Sequence, residues 1–231
     1  SYLTWPVLGL IIGSVLFIFK NPKEKLLLIT WFILPFVALA FFGKVLYPRF
    51  IFFMTLPLLI LAAVFLDYIV GWVKTRVLSI IIILAVVAYP LFFIWQIIFN
   101  LYQAPIPKSD RGQYLNDWPA GGGVKEALDF FTNESQKGKI AIFTDGTFGL
   151  MPYSFELYLV DHPNVKIRGV WPLEKVPEEA LETAKERPTY LVTNQLQKIP
   201  PEWSLKLLAE YPKGESKIFL RIFAVIPQRS P

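Results

Sequence analysis

The sequence predicts an all-α membrane bundle of four transmembrane helices, followed by an α/β extracytoplasmic domain with a mostly parallel sheet. Three observations carry that reading: a lopsided charge distribution, four long uncharged runs, and a change of periodicity near residue 103. The chain of 231 residues is 54% hydrophobic and 18% charged, against about 45–50% apolar and 25% charged in soluble domains. Residues 1–100 hold seven basic side chains (Lys20, Lys23, Lys25, Lys44, Arg49, Lys74, Arg76) and two acidic ones (Glu24, Asp67). That leaves 16 of the 23 basic and 16 of the 18 acidic residues for 101–231, so the formal +5 belongs wholly to the first hundred residues. No basic stripe remains on the polar part, which excludes nucleic acid as a partner.

The uncharged runs are 1–19, 26–43, 50–66 and 77–100. Each is near the ~20 residues a helix needs to cross a ~30 Å hydrocarbon core, and the expected helices run at about 2–19, 26–43, 50–70 and 77–100. The first is not a signal peptide, because no basic region precedes it and no small-residue cleavage site leads into a polar mature chain. Pro6, Pro35, Pro57 and Pro90 fall one to each run. Membrane bundles tolerate such prolines because neighbouring groups re-satisfy the freed carbonyls, and Pro6 also suits a helix start. Tyr2, Trp5, Tyr47, Tyr68, Trp72, Tyr89, Trp95 and Tyr102 lie toward run ends, as an interfacial aromatic belt requires, whereas Trp31 does not. No Met precedes Ser1, and the chain is expected to be the C-terminal piece of a longer protein.

Orientation follows from the connections. One side carries Lys20, Lys23, Lys25, Lys74 and Arg76, and the other Lys44, Arg49, Lys108 and Arg111, a margin of five to four. The positive-inside rule therefore puts the 20–25 and 74–76 loops in the cytoplasm, and the 44–49 turn and the C-terminal domain outside. Asp67 is expected near the cytoplasmic end of the third helix, snorkelling or paired with Lys74. The absence of cysteine agrees with an exported domain without disulfides and with other compartments equally. Asn133-Glu134-Ser135 is a formal glycosylation sequon, a pattern too common to decide anything.

Residues 103–112 read as a proline-bearing linker, and 113–231 as the α/β domain. Val124, Ala127, Leu128 and Phe131 recur at helical spacing with Lys125, Glu126 and Asp129 opposite, so an amphipathic helix follows Gly121-Gly122-Gly123. A buried-type strand is expected at 139–144, a helix near 152–160 and a strand at 165–171. Pro177 suits the first residue of a helix reaching 185, with Glu178 and Glu179 favourable to its dipole. A third strand at 189–193 and a hairpin of 205–211 with 217–226 complete the pattern, and strands alternating with helices argue for a three-layer sheet.

Ligands of such sheets bind outside the strand carboxyl ends. Asp145, Thr147, the Trp171-Pro172 corner and Asn194 all fall there, and with Trp118 they make the candidate acceptor or ligand crevice. Asp and Thr at these positions also serve as caps and turn formers. The 121–123 glycines match no phosphate-binding pattern and read as a flexible helix entry. His162, the sole histidine, has no second His or Cys to make a metal site and reads as a surface residue. No nucleophile elbow, HExxH pair or CxxC motif is present.

The segment Lys44-Val-Leu-Tyr47-Pro48-Arg49-Phe50, with the following Leu56-Pro57-Leu58-Leu59, resembles the late membrane region of GT-C fold, lipid-linked-sugar glycosyltransferases. The likeness is to glycosyltransferase family 39, the protein mannosyltransferase and aminoarabinose transferase group. The 113–121 segment, QYLNDWPAG, with Thr147-Phe148-Gly149-Leu150 and Pro152-Tyr153, is similar to the extracytoplasmic C-terminal domain of bacterial members. The resemblance implies transfer of a sugar from a polyprenyl-phosphate donor to an acceptor, itself unidentified, at the outer face of a prokaryotic cell membrane. It implies a catalytic acidic residue on a first extracytoplasmic loop, which this chain lacks, so that the chain alone is expected to be inactive. No cofactor is indicated. What the chain would retain is a donor phosphate site of Arg49 with Lys44 and Tyr47, because a guanidinium can donate two parallel hydrogen bonds to phosphate oxygens. The same three residues also suit interfacial anchors of two helices. A reading of another class is a non-enzymatic membrane-anchored binding or sensor module that presents its α/β domain; a transporter fits less well, since only Asp67 is ionisable near a span.

Overall fold

The computed structural model describes residues 3–17, 22–44 and 48–227. Tyr2, Lys20, Tyr47 and the Arg49 side chain lie outside the described residues. The chain divides into two compact units, Ser1–Pro107 and Lys108–Pro231.

The first unit is helical: α1 (Trp5–Leu16), α2 (Pro22–Phe42), α3 (Pro48–Trp72) and α4 (Arg76–Phe99). Three helices are long and apolar enough to cross a membrane, at Pro22–Phe42, Phe50–Trp72 and Arg76–Phe99. α1 has 12 residues, about 18 Å at 1.5 Å per residue, and the expected 2–19 span extends past it at both ends into residues outside those described. Pro6 stands in the first turn of α1, where its missing N–H costs nothing. Pro35, Pro57 and Pro90 lie inside their helices.

Leu10 and Ile11 of α1 pack on Leu58, Leu61 and Ala62 of α3, with Leu28, Ile29 and Phe32 of α2 against them. Gly13 allows the approach, since a Cβ there would collide with the Phe65 ring. Small residues at helix crossings serve membrane bundles in this way. Lys25, expected as a loop charge, is buried in the first turn of α2, and its Nζ donates to the carbonyl oxygens of Phe17 at 2.8 Å and Ser14 at 3.4 Å. It thereby satisfies carbonyls that the end of α1 leaves unpaired. Asp67 is exposed on α3, and no ion pair joins it to Lys74 among the described residues.

The second unit begins with α5 (Lys108–Arg111), which runs into a π-helical turn at Gly112–Asn116. There follow α6 (Val124–Lys137), β1 (Ile140–Asp145), α7 (Tyr153–Leu159), β2 (Val165–Val170), α8 (Glu178–Thr183), β3 (Thr189–Thr193), β4 (Leu205–Pro212) and β5 (Phe219–Val225). The strand order is β2-β1-β3-β5-β4. β1 pairs in parallel with β2 and β3, whereas β5 is antiparallel to both β3 and β4. The expected mostly parallel sheet is therefore a mixed one. The reason is connection length: β4 and β5 are joined by the short 213–218 turn, and a parallel pair would need a crossover of a dozen residues or more.

The β1 side chains alternate between two cores. Ile140 and Ile142 face Ala127 and Phe131 of α6 and Phe155 and Leu159 of α7, while Ala141 and Phe143 pack with Leu191, Phe223 and Ala180 of α8. Period-2 alternation with both faces covered is the geometry of a three-layer α/β/α unit. Gly123, at φ 84°, starts α6 from a left-handed turn, and a Cβ there would stand 2.8 Å from Tyr211 Cβ. The glycine run is thus a close approach of α6 to the β4–β5 hairpin rather than a loose entry.

Candidate functional site

β1 and β3 lie side by side and parallel, yet the chain leaves β1 for β2 on one side and reaches β3 on the other. The crevice at such a reversal is the usual ligand position of α/β sheets. Here the chain itself fills it. Asp145, the last residue of β1, is fully buried, and its carboxylate accepts the N–H groups of Asn194 (2.8 and 2.9 Å), Gln195 (2.7 Å) and Leu196 (2.7 Å). Burial pushes its carboxyl up to about 6, against the opposing pull of those N–H groups. The arrangement is a latch that orders the turn after β3.

Asn194, also fully buried, donates from Nδ2 to the Trp118 carbonyl at 2.8 Å. Asp145, Asn194 and Trp118 are thereby brought together, and Thr147 stands apart, exposed on the loop after β1. Two buried oxygens in this region, Thr193 Oγ1 and Asn194 Oδ1, have no protein partner.

A further residue, Lys213, belongs to the same strand-end constellation. It is fully buried at the start of the β4–β5 turn, and its Nζ donates to the carbonyls of Ala120 and, at 3.3 Å, Gly122. Burial draws its pKa down to about 8, while Asp145 and Asp117 oppose that shift. The Asn116 side chain adds a contact to the Glu215 N–H at 3.3 Å. The 116–122 segment is therefore tied to the strand ends from two sides, by Asn194 and by Lys213. Nothing in the sequence marks Lys213, since a lysine in a Lys-Gly-Glu-Ser turn reads as solvated.

Beside this latch lies an open groove of about 630 Å³ between α6 and α7. Val124, Leu128, Leu150 and Leu159 give it an apolar lining, and Lys125 and Asp129 add one charge of each sign. Its volume is that of a small-molecule site. His162 is half-buried rather than on the surface as expected, with Nε2 at 3.3 Å from Ser135 Oγ. Among the described residues, no group of three or more His, Cys, Asp or Glu side chains gathers as a metal site.

In the helical unit Lys44 is exposed just before α3, and Arg49 falls in the first turn of that helix. The chain matches no family model, no curated protein and no solved structure.

Proposed function

We propose that this chain is the C-terminal part of an integral-membrane glycosyltransferase that moves a sugar from a polyprenyl-phosphate donor to an acceptor at the outer membrane face. The observation that carries the reading is the start of α3 at Pro48, with Arg49 in the first turn of a 25-residue apolar helix and the exposed Lys44 just before it. A helix N-terminus presents free N–H groups and partial positive charge. Basic residues at that end of an apolar helix suit a lipid-linked phosphate at the membrane surface, and a guanidinium there would stabilise the leaving phosphate. In this reading α1 belongs to a fourth span over 2–19, and the α/β unit lies outside the cytoplasm on the same side as the 44–49 turn. The catalytic acid belongs to a loop outside this chain, and Lys44 and Tyr47 assist Arg49.

The test is Arg49→Ala in the full-length enzyme, assayed for sugar transfer from a polyprenyl-phosphate donor. Loss of a charge-assisted hydrogen bond to phosphate, about 1.5–3 kcal/mol, lowers transfer roughly 10–100-fold with membrane insertion unchanged. Undiminished transfer removes Arg49 from the mechanism. The alternative of a non-enzymatic membrane-anchored module draws support from Asp145, whose carboxylate is engaged by the turn after β3. Absence of any transfer by the full-length protein, with binding by the α/β unit retained, would favour that alternative.

A further inference from the structure

The three longer helices of the α/β unit differ in what they show to the outside. Every exposed residue of α6 is polar or charged (Lys125, Glu126, Asp129, Asn133, Gln136, Lys137), and so are the exposed Glu178 and Glu182 of α8. α7 reverses the rule. Its exposed residues are Tyr153, Leu157 and Tyr158, with Val160 at its C-cap, and Leu157 is 75% exposed. Tyr153, Leu157 and Val160 follow at i, i+4 and i+7, so they share one face. Phe155 and Leu159 on the other face already fill the core. A helix apolar on both faces at the surface of a water-soluble unit is an anomaly that calls for a cover.

The apolar surface continues past the start of α7. Phe148, 80% exposed, lies on the loop between β1 and α7. The Gly146 N–H at the base of that loop donates to the Val170 carbonyl at 2.9 Å, which brings the loop beside the exposed Trp171. Phe148, Trp171 and Tyr153 thus extend the α7 face at the strand ends.

The tether of the unit identifies the cover. Only residues 100–107 separate α4, long and apolar enough to span a membrane, from Lys108 at the start of the α/β unit. Eight residues reach at most about 29 Å when fully extended, and part of this stretch is coiled into a 3-10 turn at Leu101–Gln103. A unit of this size, with a radius of gyration of about 14 Å, is therefore held at the bilayer surface at high effective concentration. The residue types agree with that partner, because Tyr and Trp carry an apolar body and a polar tip and favour the headgroup region. The face has no lysine or arginine of its own, so it suits an uncharged lipid surface as well as an anionic one.

We infer that the α7 face, with Phe148 and Trp171, is a membrane-docking surface that rests in the headgroup region of the bilayer. The inference stands whether or not the chain belongs to a glycosyltransferase. The absence of native cysteine makes a direct test available. The full chain is placed in phosphatidylcholine nanodiscs as three single-cysteine variants, Phe148→Cys, Leu157→Cys and Glu182→Cys, each carrying a nitroxide. All three positions are exposed, so substitution leaves the cores intact, and circular dichroism checks each variant.

Power saturation then compares access to oxygen, which concentrates in lipid, with access to a water-soluble nickel chelate. The expected result is several-fold greater protection from nickel at Phe148→Cys and Leu157→Cys than at Glu182→Cys, with oxygen access retained. Equal nickel access at all three positions would show a water-facing surface and overturn the inference. Protection from both reagents at Phe148→Cys and Leu157→Cys would show a protein cover, a second copy or another chain, and would overturn it as well.

Discussion

Phe131 in the α/β unit and Leu61 in the helical unit are both completely shielded from solvent, but different forces put them there. Phe131 packs edge-to-face against Phe155 at 5.4 Å and Tyr190 at 5.5 Å between the sheet and its helices, and its burial removes apolar surface from water. Leu61 sits where α3 meets α1, in a unit whose outward faces carry Phe41, Phe42 and Trp72. Lipid tails are as apolar as leucine, so water gives no drive to that contact, and fit alone remains. The same contrast explains why a glycine, Gly13, marks the α1–α3 approach, whereas aromatic rings fill the core beneath α6.

Parallel truncations separate the two forces. Phe131→Ala is expected to cost about 3–5 kcal/mol from lost transfer energy and the cavity left behind. Leu61→Ala in a bilayer is expected to cost about 1–2 kcal/mol, chiefly lost dispersion contacts. Hydrogen exchange of the β1 and α3 amides in the full chain, reconstituted in nanodiscs, reads both. Equal losses would break the comparison.

The next largest effect concerns the strand-end latch. Asp145→Ala leaves the buried N–H groups of Asn194, Gln195 and Leu196 without their acceptor, at a cost of about 3 kcal/mol. The loss should appear first as faster exchange at 194–196. The latch also titrates. Burial raises the Asp145 carboxyl to about 6, so between about pH 4 and 6 the folded chain keeps a proton that the unfolded chain has released. The unfolded state binds fewer protons in that window, and this group's contribution to stability falls as pH rises through it. Asp145→Ala should abolish that slope, and an unchanged slope would assign it to another group.

Much of this architecture is legible in the sequence because it is local. The continuous apolar run of β1, the helical spacing of Val124, Ala127, Leu128 and Phe131, and the uncharged runs of α2, α3 and α4 each declare themselves within twenty residues. Asp145 and Asn194 are identifiable as strand-end residues for the same reason. What they do there is not legible, since the bonds between them join residues 49 apart in the chain. The mixed order of the sheet depends likewise on which side of β3 the closing hairpin docks. Lys213 is the extreme case, with a partner 93 residues away. The outward face of α7 was in plain view as Tyr153, Leu157 and Val160, but only the packing of Phe155 and Leu159 shows which face is left over.

Each unit also buries one lysine on backbone carbonyls, Lys25 at the end of α1 and Lys213 beside the 120–122 segment. The second allows the smallest test. Burial lowers Lys213 to about 8, whereas an unfolded lysine titrates at about 10.4. Between those values the unfolded chain holds a proton that the folded chain has released, so the stability of the α/β unit should rise with pH from about 8 to 10. Lys213→Met keeps the stem and removes the charge. It frees the Ala120 and Gly122 carbonyls at a pH-independent cost of about 1 kcal/mol and should flatten the rise. The measurement is denaturant unfolding of the full chain at pH 7, 8, 9 and 10, followed by exchange at the β4 and β5 amides. Parallel curves for the two proteins would mean that Lys213 keeps an ordinary lysine pKa despite its burial, with Asp145 and Asp117 compensating for lost water.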